Sequence, residues 1–373
     1  MSALSALLLL PAALLLDRLF GEPPARIHPV CGMGALAAAA ERLLRRGPDG
    51  ARMTLAGLAA CLAVILPVGL LAALPVLLAG GMLGDAAAWI VCVAVVSLCL
   101  APRCLDEHAR RVALPLERGD LEAARRAVAM LVGRDPQQLD AHGVARACVE
   151  SVGENLTDGI LATLFWAAAG LLLAGLPGAA ALAACHRAAN VLDALWGRLD
   201  ATYRCFGTAA ARLDDVLNWC PARLALPCIV LAAALLPGLD ARTCRRVGWR
   251  DRHAHESPNS AWSEAAFAGA LGLRLGGPAR YGPLYRDHPW LGDGSPLATA
   301  RHIRQAVRLM WASVLVFAAS ASLLLAAEPV SETAPAKAGG HPANGTRYGG
   351  PPQRSPTGRP PDRQEKDIRP QRP

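Results

Sequence analysis

The sequence predicts an all-α fold: a polytopic helical membrane protein with four to five crossings, helical hairpins and large cytoplasmic helical loops. Three observations carry that expectation. The 373 residues are 53% hydrophobic with a mean hydropathy of +0.29, too apolar for an ordinary soluble chain. Six apolar segments punctuate the chain: Ala3–Leu16, Leu55–Ala79, Ala86–Ala101, Ile160–Cys185, Leu224–Leu239 and Leu309–Ala327. The stretches between them are rich in arginine and show no alternating strand pattern of useful length.

Ala3–Leu16 is short for a crossing, which needs roughly 20 residues. It lacks the basic leader region and cleavage site of a secretory signal. Leu55–Ala79 and Ala86–Ala101 read as an out-and-back hairpin turning at Gly80-Gly81 and Asp85. Asp120 is placed to cap LEAARRAVAML, and Asp140 to cap a helix running through Val149 and Val152. Ile160–Cys185 is interrupted at Gly175-Leu176-Pro177-Gly178, so it reads as two short helices in a re-entrant or shallow hairpin. Pro221 breaks the helix before Leu224–Leu239, a run short enough to lie buried in protein without crossing. Leu309–Ala327 passes the length test. Residues 1–327 form one helical membrane domain, and 328–373 a disordered tail rich in Pro, Gly and Arg.

Arginines number six in residues 17–52, eight in 102–149, five in 186–223 and ten in 240–306. The positive-inside rule puts all four stretches in the cytoplasm, which hairpins permit and simple alternating crossings do not.

The only lysines are Lys337 and Lys366, so residues 1–327 offer no lysine nucleophile, Schiff-base lysine or phosphate-loop lysine. Arginine suits bidentate contact with phosphate or carboxylate instead. Eleven scattered cysteines without a CxxC read as small buried hydrophobes in a reduced or membrane setting. Phosphate-loop, hydrolase-elbow and zinc-protease motifs are absent. Aromatics are 5% of the chain and no basic stripe interleaves with them, so nucleic-acid binding is unsupported.

Five polar constellations flank the apolar segments. ESVGENLTDG spaces Glu150, Glu154 and Asp158 four residues apart, on one helix face. Like charges at that spacing repel and need arginine, a cation or solvent beside them. Asn155 and Thr157 add oxygens of the kind hard cations prefer. On spacing alone a solvated acidic face and a cation site are equally supported. RLDDVLNWCPAR places Asp214 and Asp215 one turn before Asn218, and repeats the theme of acid and amide before an apolar run. HRAANVLDALWG carries His186, Arg187, Asn190 and Asp193. WRDRHAHESPNSAWSEAAFAGALGLRLGG sets His255, Ser257, Asn259 and Glu264 in or beside a turn at Pro258. His253 and His255 lack a third imidazole or thiolate at ligand spacing, which argues against a transition metal. DRLFGEPPARIHPVCGMG contributes Asp17, Glu22 and His28.

The blocks ARACVESVGENLTDGILATLFW, HRAANVLDALWG, YRCFGTAAARLDDVLNWCPARL, HESPNSAWSEAAFAGALGLRLGG and HPWLGDG, with the early DRLFGEPPARIHPVCGMG, resemble the CobD/CbiB family of cobalamin biosynthesis in that order. The resemblance covers residues 10 to 315 or so. It implies an integral protein of the bacterial inner membrane with its active face in the cytoplasm. It implies an adenosylcobinamide-phosphate synthase, joining (R)-1-amino-2-propanol or its O-phosphate to a propionate of adenosylcobyric acid through an amide bond. ATP as co-substrate and Mg²⁺ are implied by the same resemblance. The expected partners are these substrates, the lipid bilayer and other corrinoid-pathway enzymes, with no nucleic acid.

On the motif-matched positions, the expected catalytic residues are Glu150, Glu154, Asp158, Asp215 and His255. The expected metal ligands are Glu154, Asp158, Asp214 and Asp215. The expected substrate contacts are Arg187, Asn190, Asp193, Tyr203, Arg212, Asn218, Arg223, Asn259 and Glu264. Span count and broken helices alone also admit a transporter, although no inverted repeat is evident and the acids lie at segment ends. A non-catalytic membrane scaffold is the third reading.

Overall fold

The apolar segments become long helices that extend into their polar flanks. In the computed structural model, which describes residues 3–133, 135–197, 202–281 and 284–327, the first helices are α1 (Ala3–Phe20), α2 (Pro29–Leu44), α3 (Ala51–Leu83), α4 (Asp85–Cys99), α5 (Pro102–Glu117) and α6 (Leu121–Val128). There come next α7 (Ala141–Asn155), α8 (Ala162–Trp196), α9 (Thr208–Leu235), α10 (Ala241–Arg250), α11 (Ser260–Leu271) and α12 (Ala300–Ala327). The strands form two short antiparallel pairs: β1 (Leu275–Gly276) with β4 (Trp290–Leu291), and β2 (Ala279–Tyr281) with β3 (Leu284–Arg286). The expected tail, 328–373, lies outside the described residues.

Among the described residues, six helical stretches are long and apolar enough to cross a membrane: α1, α3, α4 with α5, α7 with α8, α9 and α12. Length and apolarity qualify a stretch for crossing; they do not count crossings, expected at four to five. The protein is an integral membrane protein of the all-α class. Leu55, Leu58, Leu62, Leu66 and Leu70 recur every three to four residues on α3 and are all exposed. Among the described residues nothing covers that stripe, which suits a lipid environment.

The helices approach closely where glycine removes the side chain. α3 and α4 form the expected hairpin, turning at Gly84. α8 is likewise two helices, broken where Ala174 and Gly175 leave helical geometry, with Gly175 at φ 66°. Past this turn the two arms touch backbone to backbone: a Cβ on Gly170 would overlap the carbonyl of Gly178, and one on Gly178 the carbonyl of Gly170. On α3, a Cβ on Gly57 would overlap the carbonyl of Phe206.

The expected caps form. The Asp120 carboxylate accepts from Ala123 N at 2.9 Å, and that of Asp140 from Gly143 N at 2.7 Å. Pro221 departs from expectation, because α9 runs through it. A helix proline strands the carbonyl four residues earlier. Here that carbonyl, Leu217 O, accepts from the Trp166 indole at 3.0 Å, so the helix continues without an orphaned acceptor. At the polar end, buried Asp106 ties three helices together. It accepts from Arg110 Nε at 2.5 Å and from Trp311 Nε1 at 3.1 Å, and lies 3.6 Å from Arg18.

Candidate active site

α7 does not stop at Asn155. It passes through one π turn, Leu156–Leu161, directly into α8. A π turn inserts an extra residue and rotates the downstream helix by about 100°. Asp158 lies within that turn, and Glu150 and Asp158 have different neighbours. Glu150 is drawn to the first strand pair, where its Oε1 accepts from Gly276 N at 2.8 Å and stands 3.8 Å from Arg146 Nε.

Asp158 faces the second arm of α8 and the start of α9. It lies within electrostatic reach of Asp214, Glu154, Asp193 and Asp215. Four of these five carboxylates are expected catalytic or metal-binding residues, and Asp193 is an expected substrate contact. Around them runs a continuous hydrogen-bond chain. Thr163 Oγ1 and His186 Nδ1 are 3.1 Å apart, His186 Nε2 and Asn218 Oδ1 are 3.1 Å apart, and Asn218 Nδ2 donates to Asp214 Oδ2 at 2.8 Å. Thr163, His186 and Asn218 are almost wholly buried. Because Asn218 presents its amide nitrogen to the carboxylate, its oxygen faces the imidazole, which fixes His186 Nε2 as the donor.

The second arm of α8 supplies the cation. Arg187 donates to Asn190 Oδ1 at 3.3 Å, and the Asn190 side chain bonds in turn to Asp214. Behind α9, Ser257 Oγ donates to Asp215 Oδ1 at 3.4 Å and Asn259 Nδ2 to the Asp215 carbonyl at 2.9 Å. Arg223 donates to Asn259 Oδ1 at 3.0 Å and covers the rings of Trp219 and Trp262. His255 reaches the cluster through Ser257, whose N–H donates to His255 Nδ1 at 3.0 Å. Burial and the neighbouring His288 hold the His255 pKa below the ordinary imidazole value. The neutral ring therefore carries its proton on Nε2 and is a hydrogen-bond donor on its open side.

The other expected contacts are more peripheral. Tyr203 gives its hydroxyl to Glu41 Oε1 at 3.1 Å, and Trp196 donates to Glu41 Oε2 at 3.2 Å, so Tyr203 helps pin α2. Arg212 is on the surface, 3.7 Å from Asp215. Glu264 is buried on α11 where that helix packs against Gly153 of α7. Thr163, His186 and Ser257 join the site although none is among the expected site residues. The signal for His186 is present in the sequence, since an imidazole at the end of an apolar segment has to find a polar partner.

Among the described residues, no three His, Cys, Asp or Glu side chains are grouped so as to hold a metal ion by themselves. Mg²⁺ does not require that: it is usually held by one or two carboxylates and keeps water and substrate phosphate as its other ligands. Asp158 Oδ1, Asp214 Oδ1 and Thr157 Oγ1 are buried with no hydrogen-bond partner. Two orphaned carboxylate oxygens in a crowd of carboxylates fit a hard divalent cation.

The family model described as CobD/Cbib protein matches residues 10–310. The chain belongs to the CobD/CbiB family. It is 41% identical over 299 residues to the cobalamin biosynthesis protein CobD of Klebsiella pneumoniae subsp. pneumoniae, covering 80% of this chain and 91% of that relative. It is 42% identical over 330 residues to the protein of the same name from Chromobacterium violaceum, covering 85% and 97%. The cobalamin biosynthesis protein CbiB of Salmonella typhimurium is 39% identical over 316 residues, covering 84% and 95%. No solved structure matches the chain. Membership of the CobD/CbiB family makes this a biosynthetic enzyme of cobalamin synthesis. The five clustered carboxylates all lie inside the matched residues.

Proposed function

We propose that the protein is an ATP-dependent acid–amine ligase that joins (R)-1-amino-2-propanol, or its O-phosphate, to a propionate of adenosylcobyric acid. The observation that carries the proposal is the meeting of Glu154, Asp158, Asp193, Asp214 and Asp215 at the polar mouth of the α8 hairpin, with Asp158 Oδ1 and Asp214 Oδ1 buried and unpartnered.

A carboxylate and an ammonium ion do not condense in water without activation. The propionate oxygen attacks a phosphorus of ATP, and the P–O bond to the leaving nucleotide or pyrophosphate breaks. The amine then attacks the acyl carbon of the resulting acyl phosphate or acyl adenylate, and the phosphate or AMP departs. Asp158 and Asp214 are the residues that would hold Mg²⁺, with Glu154 and Asp215 beside them. Bound there, the ion neutralises phosphate charge and orders the nucleotide. The amine must lose protons to attack and form the amide, and a carboxylate of the cluster accepts one. Asp215 suits that role, because its side chain is 25% exposed and accepts from Ser257, while Asn259 holds its backbone carbonyl. His255, with Nδ1 committed to Ser257 N, serves better as a donor to substrate or phosphate than as the base.

The apolar hairpin beside the acids suits an amphiphilic corrinoid lying at the membrane edge. ATP is available in the cytoplasm and the polar stretches are rich in arginine, so the active face is cytoplasmic and the membrane is the bacterial inner membrane. The test is ligation by purified protein, given adenosylcobyric acid, Mg²⁺ and each amine, with and without ATP, and the product followed by mass spectrometry. The amide product should form only with ATP; no product with either amine under any nucleotide condition overturns the proposal.

A further inference from the structure

The polar start of α12 meets the end of α9 around a cavity of 270 Å³. One wall is the turn at residues 236–239, where Leu236 and Leu239 line it. The other wall is Arg301, Arg304 and Arg308, which their spacing puts on one face of α12. All three arginines are exposed. The nearby acids are largely committed elsewhere. Glu117 of α5 pairs with Arg304, and Asp106 pairs with Arg110, which shares a second cavity of 330 Å³ with Arg304 and Arg308 on the α5 side. Asp240, next to Leu239, caps α10 and accepts from Arg242 N, Thr243 N and the Thr243 hydroxyl. Among the described residues, Arg301 and Arg308 have no carboxylate partner, and no carboxylate lines the cavity between α9 and α12.

The surround of these two cations is apolar and uncovered. Leu231 and Leu235, one turn apart at the end of α9, are exposed. So is Leu315, seven residues beyond Arg308 and on the same face of α12. The apolar segment Leu309–Ala327 begins directly after Arg308, in a helix long and apolar enough to cross a membrane. The arginines therefore stand at its polar edge, with Leu315 on the apolar side. A soluble anion needs only the charge. Unpaired arginines flanked by exposed leucines match a phosphodiester that carries acyl chains. Basic recesses between membrane helices hold anionic lipid headgroups, and the guanidinium fork suits phosphate oxygens. We propose that this cavity binds one anionic phospholipid, its headgroup phosphate on Arg301 and Arg308 and its acyl chains along Leu231, Leu235 and Leu315. The proposal is independent of the ligase reading. A lipid there braces α12 against the end of α9, the helix that carries Asp214 and Asp215.

The test is native mass spectrometry of the full-length protein, released from detergent after incubation with equal amounts of phosphatidylglycerol and phosphatidylcholine of identical chains. The phosphatidylglycerol adduct should exceed the phosphatidylcholine adduct by about tenfold, the scale of two unpaired arginines at a membrane surface. Arg301→Gln combined with Arg308→Gln should bring the ratio close to one, and the corresponding pair of lysine substitutions should keep most of it. Arg308→Gln alone should lower the ratio several-fold, which covers the case in which the double variant fails to fold. Arg245→Gln, at an exposed position of α10 that does not line the cavity, should leave the ratio as in the parent. Neither inorganic phosphate nor glycerophosphoglycerol, the headgroup without its chains, should displace the lipid at a tenfold excess. An unchanged ratio in folded Arg308→Gln protein overturns the proposal. So does an equal loss in Arg245→Gln, which would trace the preference to overall charge. Displacement by either soluble phosphate also overturns it, by making the cavity a site for soluble anions.

Discussion

Nε2 of His186 donates to Oδ1 of Asn218 across 3.1 Å, and with the bond of Asn190 to Asp214 it joins the second arm of α8 to α9. It closes the chain from Thr163 to Asp214 and fixes the height at which α9 presents its acids. Asn218→Leu keeps the branched skeleton but leaves His186 Nε2 and Asp214 Oδ2 without their partner. Each buried group so stranded costs about 1–3 kcal/mol. Thermal unfolding in detergent should show a clear fall in midpoint for this variant. An unchanged midpoint would mean that the chain is not formed.

The carboxylates are expected to differ in what they lose. Glu154→Gln and Asp215→Asn should each lower turnover by at least about tenfold, equivalent to about 1.4 kcal/mol of barrier. Asp158→Asn and Asp214→Asn, at the two unpartnered oxygens, should lower it further and raise the Mg²⁺ concentration needed for half-maximal rate. Glu150→Gln should act differently, by loosening the Gly276 contact, and leave the Mg²⁺ requirement as in the parent. Mg²⁺ titrations of the rate separate these cases.

Gly170→Ala is expected to disrupt the α8 hairpin, because the added methyl meets the Gly178 carbonyl and backbone cannot swing aside. Overpacking of this kind costs about 1–3 kcal/mol or more. Gly81→Ala, on α3 with nothing within 4 Å of the new methyl, should be neutral. Yield of detergent-stable protein from membranes, measured for both variants, checks the contrast.

His255 sets a pH dependence whose sign is dictated by its depressed pKa. The unfolded chain, titrating near an ordinary value of about 6.5, takes up the proton before the folded protein does. The contribution to stability is present in full above that value. It is lost as pH falls from there toward the lower folded value. Unfolding midpoints measured from pH 7.5 to 5 should fall less steeply for His255→Gln than for the parent; parallel curves would contradict this.

Much of the architecture is legible in the sequence because it rests on local chemistry. Asp120 and Asp140 announce their helices as caps, the glycines around Gly84 mark a hairpin, and Gly175 with Pro177 marks the break in α8. The grouping of Asp158 with Asp214 and Asp215 is likewise legible as a repeated theme of acids before an apolar run. The features that escape a sequence reading depend on contacts between distant elements. Glu150 bonds the first strand pair while Asp158, within the π turn, meets the other carboxylates, and nothing in a spacing of four residues signals that turn. Pro221 is expected to end its helix, but Trp166, far away in sequence, satisfies the carbonyl that the proline strands. The commitment of Tyr203 to Glu41 is long-range in the same way.

The most direct test of the central claim is the rate of amide formation by Asp214→Asn against the parent protein, with adenosylcobyric acid, aminopropanol O-phosphate, ATP and saturating Mg²⁺. The expected result is ATP-dependent product from the parent and a rate at least about tenfold lower from a variant that still folds. Equal rates from the two proteins would contradict a catalytic centre at the carboxylate cluster.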